Sequence, residues 1–398
     1  MAKSQEQLHE RRSLSSLIYD PQFRSYAFQI LLLLVLVGFG WWIVQNTVTN
    51  LQAQNKTTGF DFLSNTAGFD IGFSLVPYSR ESTYLEVFYV GILNTLLVAI
   101  TGIVLATLLG FVLGIARLSS NWIIARLATI YIEIIRNIPL LLQLFFWYFA
   151  VLKSMPSVRS SLELVGGAVF LNNRGLYLPN PNANSAFLWV QIAIALVLVG
   201  GFFLQRWSIR RVELTGERFP YIPVFLVLLI VLPTVTWFVS GAEWNITYPE
   251  LNRFNFQGGI QLPPEFVALL FGLVIYTAAF IGETVRAGIV SVSSGQTEAA
   301  QSLGLKNNDR LNLVVIPQAM RVIVPPLTSQ YLNLTKNSSL AVAIGYPDIV
   351  NVFMGTALNQ SGKAIEVIFM TMMVYLTLSL LTSMIMNWYN ARIALTER

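Results

Sequence analysis

Cysteine is absent from this sequence and charge is scarce. Because none of the 398 residues is cysteine, disulfide bonds and thiolate metal sites are excluded. Charged residues make up 11% of the chain and hydrophobic residues 55%, against roughly 25% charged in an ordinary soluble domain. The only histidine, His9, lies in a polar N-terminal tail, where we expect it to be solvated. This composition indicates a membrane protein.

Motifs of catalysis and nucleotide binding are also missing. HExxH, GxSxG and CxxC patterns do not occur, so neither metal-assisted hydrolysis nor nucleophilic catalysis has a candidate. GTALNQSGKA resembles a phosphate-binding loop, but six residues rather than four separate Gly355 from Gly362, and Ala364 stands where Ser or Thr must contact magnesium. We therefore predict a protein that is not an enzyme and binds no metal.

Long hydrophobic runs dominate what is present. A helix needs about 20 apolar residues to cross the hydrocarbon, and most of these runs suffice alone or when extended past one flanking charge. Eight runs occur, at 26–44, 91–116, 137–152, 186–205, 221–242, 266–282, 322–335 and 367–391. The sequence therefore predicts an all-α integral membrane protein with eight transmembrane helices. No cleavage site follows the first run, so we expect that helix to be retained.

Lysine and arginine are unevenly distributed between alternate loops. With the N-terminus inside, about twice as many fall on the inside as on the outside, which predicts that both termini are cytoplasmic. The net charge of +5 is spread over the inside loops and forms no single patch. We therefore expect the lipid bilayer, and no nucleic acid, as a partner of these charges.

A polar stretch, EAAQSLGLKNNDRLNLVVIP, separates two predicted spans. Thr297 can cap a short helix whose first turn carries Glu298, and Gly304 can end that helix in the left-handed conformation. Asp309 suits the cap of a second short helix, and Pro317 lies near the start of the next. On these residues alone, an ordinary amphipathic loop and a docking site are both open.

The same stretch resembles the EAA loop of ABC-importer permeases. Glu298 is followed by Ala299 and Ala300, a glycine comes after three residues, and VVIP comes after nine more, where the family pattern ends in I-x-L-P. In that family the loop is a coupling helix that docks into a groove on a separate ATPase subunit. The resemblance implies a coupling loop at 291–317 with the contact residues Glu298, Ala299, Ala300, Gly304 and Pro317.

Further stretches resemble the polar amino-acid subfamily of these permeases. They are YIEIIRNIPLLLQLFFWYF, YTAAFIGETVRAGIVSVSSGQTEAA, PQAMRVIVPPLTSQYLNLTKNSSLA and NWYNARIALTER. The resemblance implies a five-helix type I permease core plus three added helices, and the added parts with FLNNRGLYLP resemble the long permeases of general L-amino-acid importers. The implied divisions are a cytoplasmic tail (1–25), an added first helix (26–44), a periplasmic loop (45–90) and a permease domain (91–392) with an insert (153–263) carrying two extra helices.

This resemblance also implies function and partners. It implies a permease subunit in the bacterial inner membrane that translocates polar or general L-amino acids delivered by a periplasmic binding protein. No cofactor is expected in this chain, since ATP and magnesium would lie on the ABC ATPase subunits. A second permease subunit, related but different, is also expected. Which amino acids are carried stays open.

Charged residues within the predicted spans have candidate partners on the same helix. Glu133 and Arg136, and again Glu283 and Arg286, lie three residues apart near the cytoplasmic side. Pairing at this spacing offsets the cost of placing charge in or beside the bilayer. We expect these pairs to be structural rather than to contact substrate.

Prolines and polar side chains predict a pathway across the membrane. Pro139 and the Pro325–Pro326 step each remove backbone hydrogen bonds, so we expect these helices to kink or unwind beside a cavity. Polar residues after Pro326 recur at helical spacing on one face, which lipid would penalise, although hydrogen bonding between helices would also explain them. The candidate pathway residues are Asn94, Thr95, Gln143, Ser329, Gln330, Asn333, Lys336, Asn337 and Ser338.

A secondary amino-acid transporter with its own ion coupling is the alternative function. Such a protein would need an ion or proton site inside this chain. Glu366 is the only further acid that could serve a proton relay, and near the outside boundary we expect it to be too exposed. This expectation favours the ABC permease.

Overall fold

Helices dominate the structure, a computed structural model that describes residues 21–53, 59–217 and 219–393. Within those residues the α-helices are α1 (Pro21–Ala53), α2 (Tyr84–Arg117), α3 (Trp122–Asn137), α4 (Leu140–Phe145), α5 (Phe187–Thr215), α6 (Tyr221–Ser240), α7 (Pro264–Val290), α8 (Ser294–Ser302), α9 (Asn307–Arg310), α10 (Ile316–Asn337), α11 (Leu358–Ser361) and α12 (Ala364–Ile393). Wider π-helical turns span Phe146–Leu152, Leu311–Val315 and Val350–Ala357, and 3₁₀ turns span Asp61–Ser64, Val158–Ser160 and Ser338–Ile344.

Eight membrane spans are confirmed when one bent pair counts as a single span. Among the described residues, seven helical segments are long and apolar enough to cross a membrane. The eighth is α3 followed by Leu140–Leu152, bent by 106°. Pro139 lies at the bend, where its missing N–H and the restricted backbone of Ile138 stop α3, as predicted.

The five-helix core consists of α2, the bent α3–α4 pair, α7, α10 and α12. Helices α2 and α7 approach so closely that a Cβ placed at Gly110 would lie only 2.5 Å from Ile281 Cγ2. Ile281 and Val285 of α7 are fully buried together with Ile323 of α10. The added helices are α1, α5 and α6.

Besides the predicted helices, the described residues include eight short β-strands that the sequence did not predict. They are β1 (Leu162–Leu164), β2 (Val169–Asn172), β3 (Gly175–Leu178), β4 (Asn180–Ala183), β5 (Trp244–Thr247), β6 (Glu250–Asn252), β7 (Asn255–Gln257) and β8 (Ile260–Leu262). An antiparallel sheet has the order β1-β2-β3-β8, and β4 pairs with β5 and β6 with β7. Strand pairing satisfies the backbone polar groups of the two loops that flank the α5–α6 hairpin. We call this end of the spanning helices the strand end, and the end that carries residues 291–317 the loop end.

Two helices extend into the segment 45–90. Helix α1 continues to Ala53 and α2 already begins at Tyr84, so both helices extend into that segment. A capping box sets the start of α2: the Thr83 hydroxyl accepts from the Glu86 N–H, and Glu86 accepts from the Thr83 N–H at 2.7 Å. The T-x-x-E pattern was available in the sequence and was overlooked.

Residues 59–83 pack over the strand end of the core. Phe62 is buried against Tyr84 and Phe353, and Phe73 stacks near Phe266. The segment is closed by a bridge between Thr66 and Thr83 and by an exposed ion pair between Asp70 and Arg80. The Arg80 guanidinium, through its hydrogen bond, lowers the pKa of the Asp70 carboxyl.

Candidate coupling loop and polar pathway

The loop at 291–317 forms two short helices joined by a turn at Gly304, as predicted. Gly304 adopts a φ of +74°. Its N–H donates to the Gln301 carbonyl at 2.9 Å, and the Leu305 N–H donates to the Ala300 carbonyl at 3.1 Å. These two bonds are those of a Schellman motif, in which only glycine adopts the required left-handed backbone without strain.

The predicted caps of these helices are wrong. Helix α8 begins after Ser293, whose extended backbone makes it the cap residue, so Thr297 lies inside the helix. Glu298 is therefore the fifth residue of α8 and lies outside the first turn, where the favourable helix-dipole interaction would act. The cap of α9 is Lys306, and Asp309 lies in its first turn.

The exposed surface of α8 at the loop end carries both charged and apolar side chains. Glu298 and Ala299 are exposed, whereas Ala300 is buried against the rest of the loop. Leu303, which sequence reasoning missed, is 82% exposed directly before Gly304. A large exposed apolar side chain on the same short helix segment as the small, exposed Ala299 suits insertion into a groove of another protein. In the sequence, the exposure of Leu303 is indicated by its position between a polar helix and Gly304.

Pro317 follows a π-helical turn at the start of α10. Because proline has no N–H, it cannot donate to the Leu313 carbonyl, and the backbone widens over Leu311–Val315. The Gln318 side chain contacts Gln296 of α8 at 3.3 Å. The start of α10 is therefore joined directly to the short helix α8.

Charges at the loop end pair both between helices and along one helix. Arg117, the last residue of α2, donates to Glu283 of α7 and lies 3.3 Å from Glu133 of α3. Arg286 also donates to Glu283, at 2.6 Å, so that predicted pair forms. The predicted Glu133–Arg136 pair is absent among the described residues, since Arg136 lies instead over the Phe280 ring at 5.2 Å.

This cluster ties three core helices together near the coupling loop. Glu283 accepts from two guanidinium groups in a partly buried setting, with 24% of its side chain exposed. Glu133 is more exposed, at 53%, so its bond to Arg117 is weaker. Helix α7 ends at Val290 and α8 begins at Ser294, which places the cluster close above the loop.

The expected break at Pro325–Pro326 does not occur. Helix α10 runs through both prolines from Ile316 to Asn337. The proline φ is compatible with a helix, although each ring removes one N–H donor and crowds the carbonyl four residues earlier. Buried neighbours on α10, Ile323 and Leu327, pack in the same cluster as Val285 of α7 and hold the helix together. The backbone changes only at Ser338, where a 3₁₀ turn begins.

The predicted pathway residues separate into two groups. Ser329, Asn333 and Lys336 are exposed along one face of α10, with Gln330 and Asn337 partly exposed beside them. The opposite face, at Leu334 and Thr335, is buried. We call Ser329, Gln330, Asn333, Lys336 and Asn337 the polar stripe. Polar side chains exposed along a spanning helix face another protein or a water-filled space, because lipid disfavours them.

Asn94, Thr95, Gln143 and Ser338 form the second group, which is buried away from the stripe. Asn94 donates to the Phe73 and Pro347 carbonyls at 2.9 and 2.8 Å, and the Thr95 hydroxyl accepts from the Ile349 N–H at 3.1 Å. Gln143 donates to two backbone carbonyls at the α3–α4 bend. These hydrogen bonds go to loop carbonyls, to the residues' own bend or helix and, from Thr95, to the Ile349 backbone, so the four residues do not form one lining with the stripe.

Two acidic residues at the strand end, Glu366 and Asp348, are buried, which was not predicted from the sequence. Glu366 is only 8% exposed and accepts from the Gly59 N–H at 2.7 Å, so its expected exposure is wrong. Asp348 is 1% exposed and accepts from the Asn351 N–H at 2.8 Å, which caps the turn that follows it. An aspartate that follows Pro347 and precedes a helical run indicates such a cap in the sequence. Within the described residues, no group of three metal-ligating side chains occurs.

Comparison with known proteins decides the family. A family described as "Binding-protein-dependent transport system inner membrane component" matches residues 217–395. The General L-amino acid transport system permease protein AapQ of Rhizobium johnstonii is 50% identical over 386 residues, covering 97% of this chain and 96% of the relative. The chain belongs to the ABC-importer permeases. The putative amino-acid ABC transporter permease protein YhdX of Escherichia coli K12 is 51% identical over 379 residues, covering 95% of this chain and 96% of the relative.

Membership in this family confirms the permease resemblance over the alternative of a secondary transporter. The chain is a multi-pass membrane subunit and not an enzyme, and ABC permeases work with a separate ATPase and a binding protein. A solved structure entitled "Crystal structure of an amino acid ABC transporter with histidines" is 20% identical, covers 78% of this chain and 95% of its own, and has a TM-score of 0.46.

Proposed function

We propose that this permease translocates amino acids across the bacterial inner membrane. The observation that carries the proposal is the course of α10, which begins beside the coupling loop at Pro317 and ends with the polar stripe. One continuous helix thus joins the site where a motor protein would act to the side chains that would meet the substrate. The names of two relatives, a general L-amino acid permease and a putative amino-acid permease, support this substrate class.

The chemistry of the polar stripe suits a zwitterion. Asn333 and Gln330 can donate to a carboxylate and accept from an ammonium group, and Lys336 adds a positive charge. Because these side chains are exposed on the single subunit, they would face a second permease across a water-filled pathway in the membrane. We propose that a related but different chain forms the other wall.

The proposed orientation places both termini and the loop end in the cytoplasm. The arginines and lysines of the loop end support it through the positive-inside rule. The strand end then faces the periplasm, where a binding protein delivers amino acids. At the loop end Glu298, Ala299, Ala300, Gly304 and Pro317 would form the surface that contacts an ATPase carrying ATP and magnesium, with Leu303 inserted in its groove.

Reconstitution tests the proposed function. The permease, copurified with its ATPase and second permease, is placed in proteoliposomes with the binding protein and ATP. We expect ATP-dependent uptake of labelled L-amino acids and none of labelled sugars. Mass spectrometry of the copurified subunits identifies the second permease. Uptake that persists without ATP, or sugar uptake alone, would contradict the proposal.

A further inference from the structure

An apolar cavity of about 380 Å³ lies between the sheet and the core helices. Trp147 and Leu152 of the π-helical turn after α4 form one wall, and Phe271 of α7 forms another. Leu164, Leu171 and Leu176 of β1, β2 and β3 form the roof. No polar side chain lines it. Because a bound water needs two to four polar partners, we do not expect ordered water in this cavity.

The cavity lies at the depth of a lipid leaflet. Helix α7 begins at the strand end with Pro264, so Phe271 lies about 10 Å along its axis. Phe271 also lines a second apolar groove, of about 440 Å³, between α2 and α7. Two residues of that groove, Leu108 and Val112, are 62% and 63% exposed and face outward from the core. The cavity therefore shares the Phe271 side chain with a groove that lipid chains would cover.

A single hydrocarbon chain fits this space better than a protein segment. A cube of the cavity's volume has an edge of roughly 7 Å, whereas a helix with its side chains is about 10–12 Å across. An empty cavity would leave its walls without contacts on one side, so a flexible chain gains dispersion contacts by entering. Lipid tails also match the apolar chemistry of the lining.

A lysine directly follows a residue of the cavity wall in the chain. Lys153 follows Leu152 in the chain, and 43% of its side chain is exposed. Its ammonium lies 3.7 Å from the Glu265 carboxylate, longer than an ideal hydrogen bond, and 5.0 Å above the Tyr148 ring. Such a loosely held ammonium at the strand end is free to approach a phosphate as well.

We propose that this cavity is a binding site for one phospholipid of the leaflet at the strand end. One acyl chain occupies the space under β1, β2 and β3, and the phosphate group lies near Lys153. The sheet thus has two roles. It satisfies the backbone polar groups of the loops that flank the α5–α6 hairpin, and it closes a lipid pocket over the first turns of α7.

Photolabelling of the whole transporter complex tests the site. The complex is purified in detergent with phosphatidylglycerol that carries a photoactivatable group in one acyl chain, washed, irradiated and mapped by peptide mass spectrometry. We expect labels at β2, β3 and Phe271 after washing. Labels confined to the open groove around Leu108 and Val112, or a crosslink from the cavity to another protein subunit, would overturn the proposal.

Variants separate the pocket from the general lipid surface. Leu171→Trp fills the cavity, and Leu164→Trp blocks its 42% exposed rim without altering the buried core. We expect at least a tenfold loss of cavity label in both variants, and no change in Val112→Trp, which lines only the open groove. Lys153→Gln should leave chain labelling intact but abolish any preference for phosphatidylglycerol over phosphatidylethanolamine. Undiminished cavity label in an assembled Leu164→Trp complex would refute the site.

Discussion

The side-chain amide of Gln143 donates a 2.9 Å hydrogen bond to the backbone carbonyl of Ile135, eight residues earlier in the chain. In an unbroken helix the residue at position 139 would donate to that carbonyl, but Pro139 has no N–H. The same amide donates to the Ile138 carbonyl at 2.9 Å. Gln143 therefore supplies the donors that the α3–α4 bend lacks.

Replacing Gln143 should destabilise the bend. Gln143→Met keeps most of the side-chain volume but leaves two carbonyls near the membrane interior unpaired, at a cost of about 1–3 kcal/mol. We expect a lower unfolding midpoint for the purified complex in chemical denaturant. Leu142→Met, on the 57% exposed neighbouring position, is the matched control and should leave the midpoint unchanged. Equal midpoints for the two variants would contradict this role of Gln143.

The charge cluster at the loop end should respond unequally to loss of its two acids. Glu283→Gln weakens charged hydrogen bonds from Arg117 and Arg286 at a partly buried site, and we expect a loss of about 2 kcal/mol. Glu133→Gln affects one bond at a position that is 53% exposed, so its cost should stay below about 1 kcal/mol. Denaturant midpoints compare the two. A larger loss for Glu133→Gln would show that the pairing differs from the one described.

Gly304 offers a test of the coupling loop. Gly304→Val forces a β-branched residue to a φ of +74°, although nothing lies within 4 Å of its Cβ, so backbone strain is the expected cause of any defect. We expect the protein to insert normally and to lose ATP-driven uptake. Gly295→Val, the matched control in the first turn of α8, also has open space around its Cβ and should retain most uptake. Full uptake by well-expressed Gly304→Val protein would count against a docking role for this turn.

Glu366 anchors the segment at 59–83, and its removal should loosen that segment. In Glu366→Leu the Gly59 N–H loses its acceptor, whereas Glu366→Gln keeps an acceptor oxygen. We expect faster hydrogen exchange at Gly59 and faster proteolysis of the segment in the leucine variant only. Identical exchange in both variants would show that packing at Phe62 alone holds the segment.

Spans and sharp turns were predictable from the sequence because they depend on local chemistry. Hydrophobic runs predicted the eight spans, Pro139 predicted the bend, and Gly304 predicted the turn between α8 and α9. The strands were not predicted, since segments of three or four residues such as Leu162–Leu164 are too short to show a clear alternation.

Contacts between distant segments account for the remaining errors. The partner of Glu133 is Arg117, sixteen residues away on another helix, and i,i+3 spacing alone favoured Arg136. Helix α10 passes through Pro325 and Pro326 because tertiary packing holds it. Gln143 was assigned to the pathway because its polarity was visible in the sequence, whereas the carbonyls it satisfies were not.

We propose that substrate passes along the polar stripe of α10. Asn333→Leu removes an exposed amide from the stripe while leaving the coupling loop untouched, and Leu332→Met conserves volume at the adjacent, half-buried position. The most direct measurement is ATP-driven amino-acid uptake by both variants in the same proteoliposomes, with retained ATPase subunit quantified after washing. We expect a large loss of uptake for Asn333→Leu with full ATPase retention, and near-normal values for Leu332→Met. Unchanged uptake by Asn333→Leu would contradict a pathway along this face, and loss of uptake and ATPase together would assign Asn333 to packing.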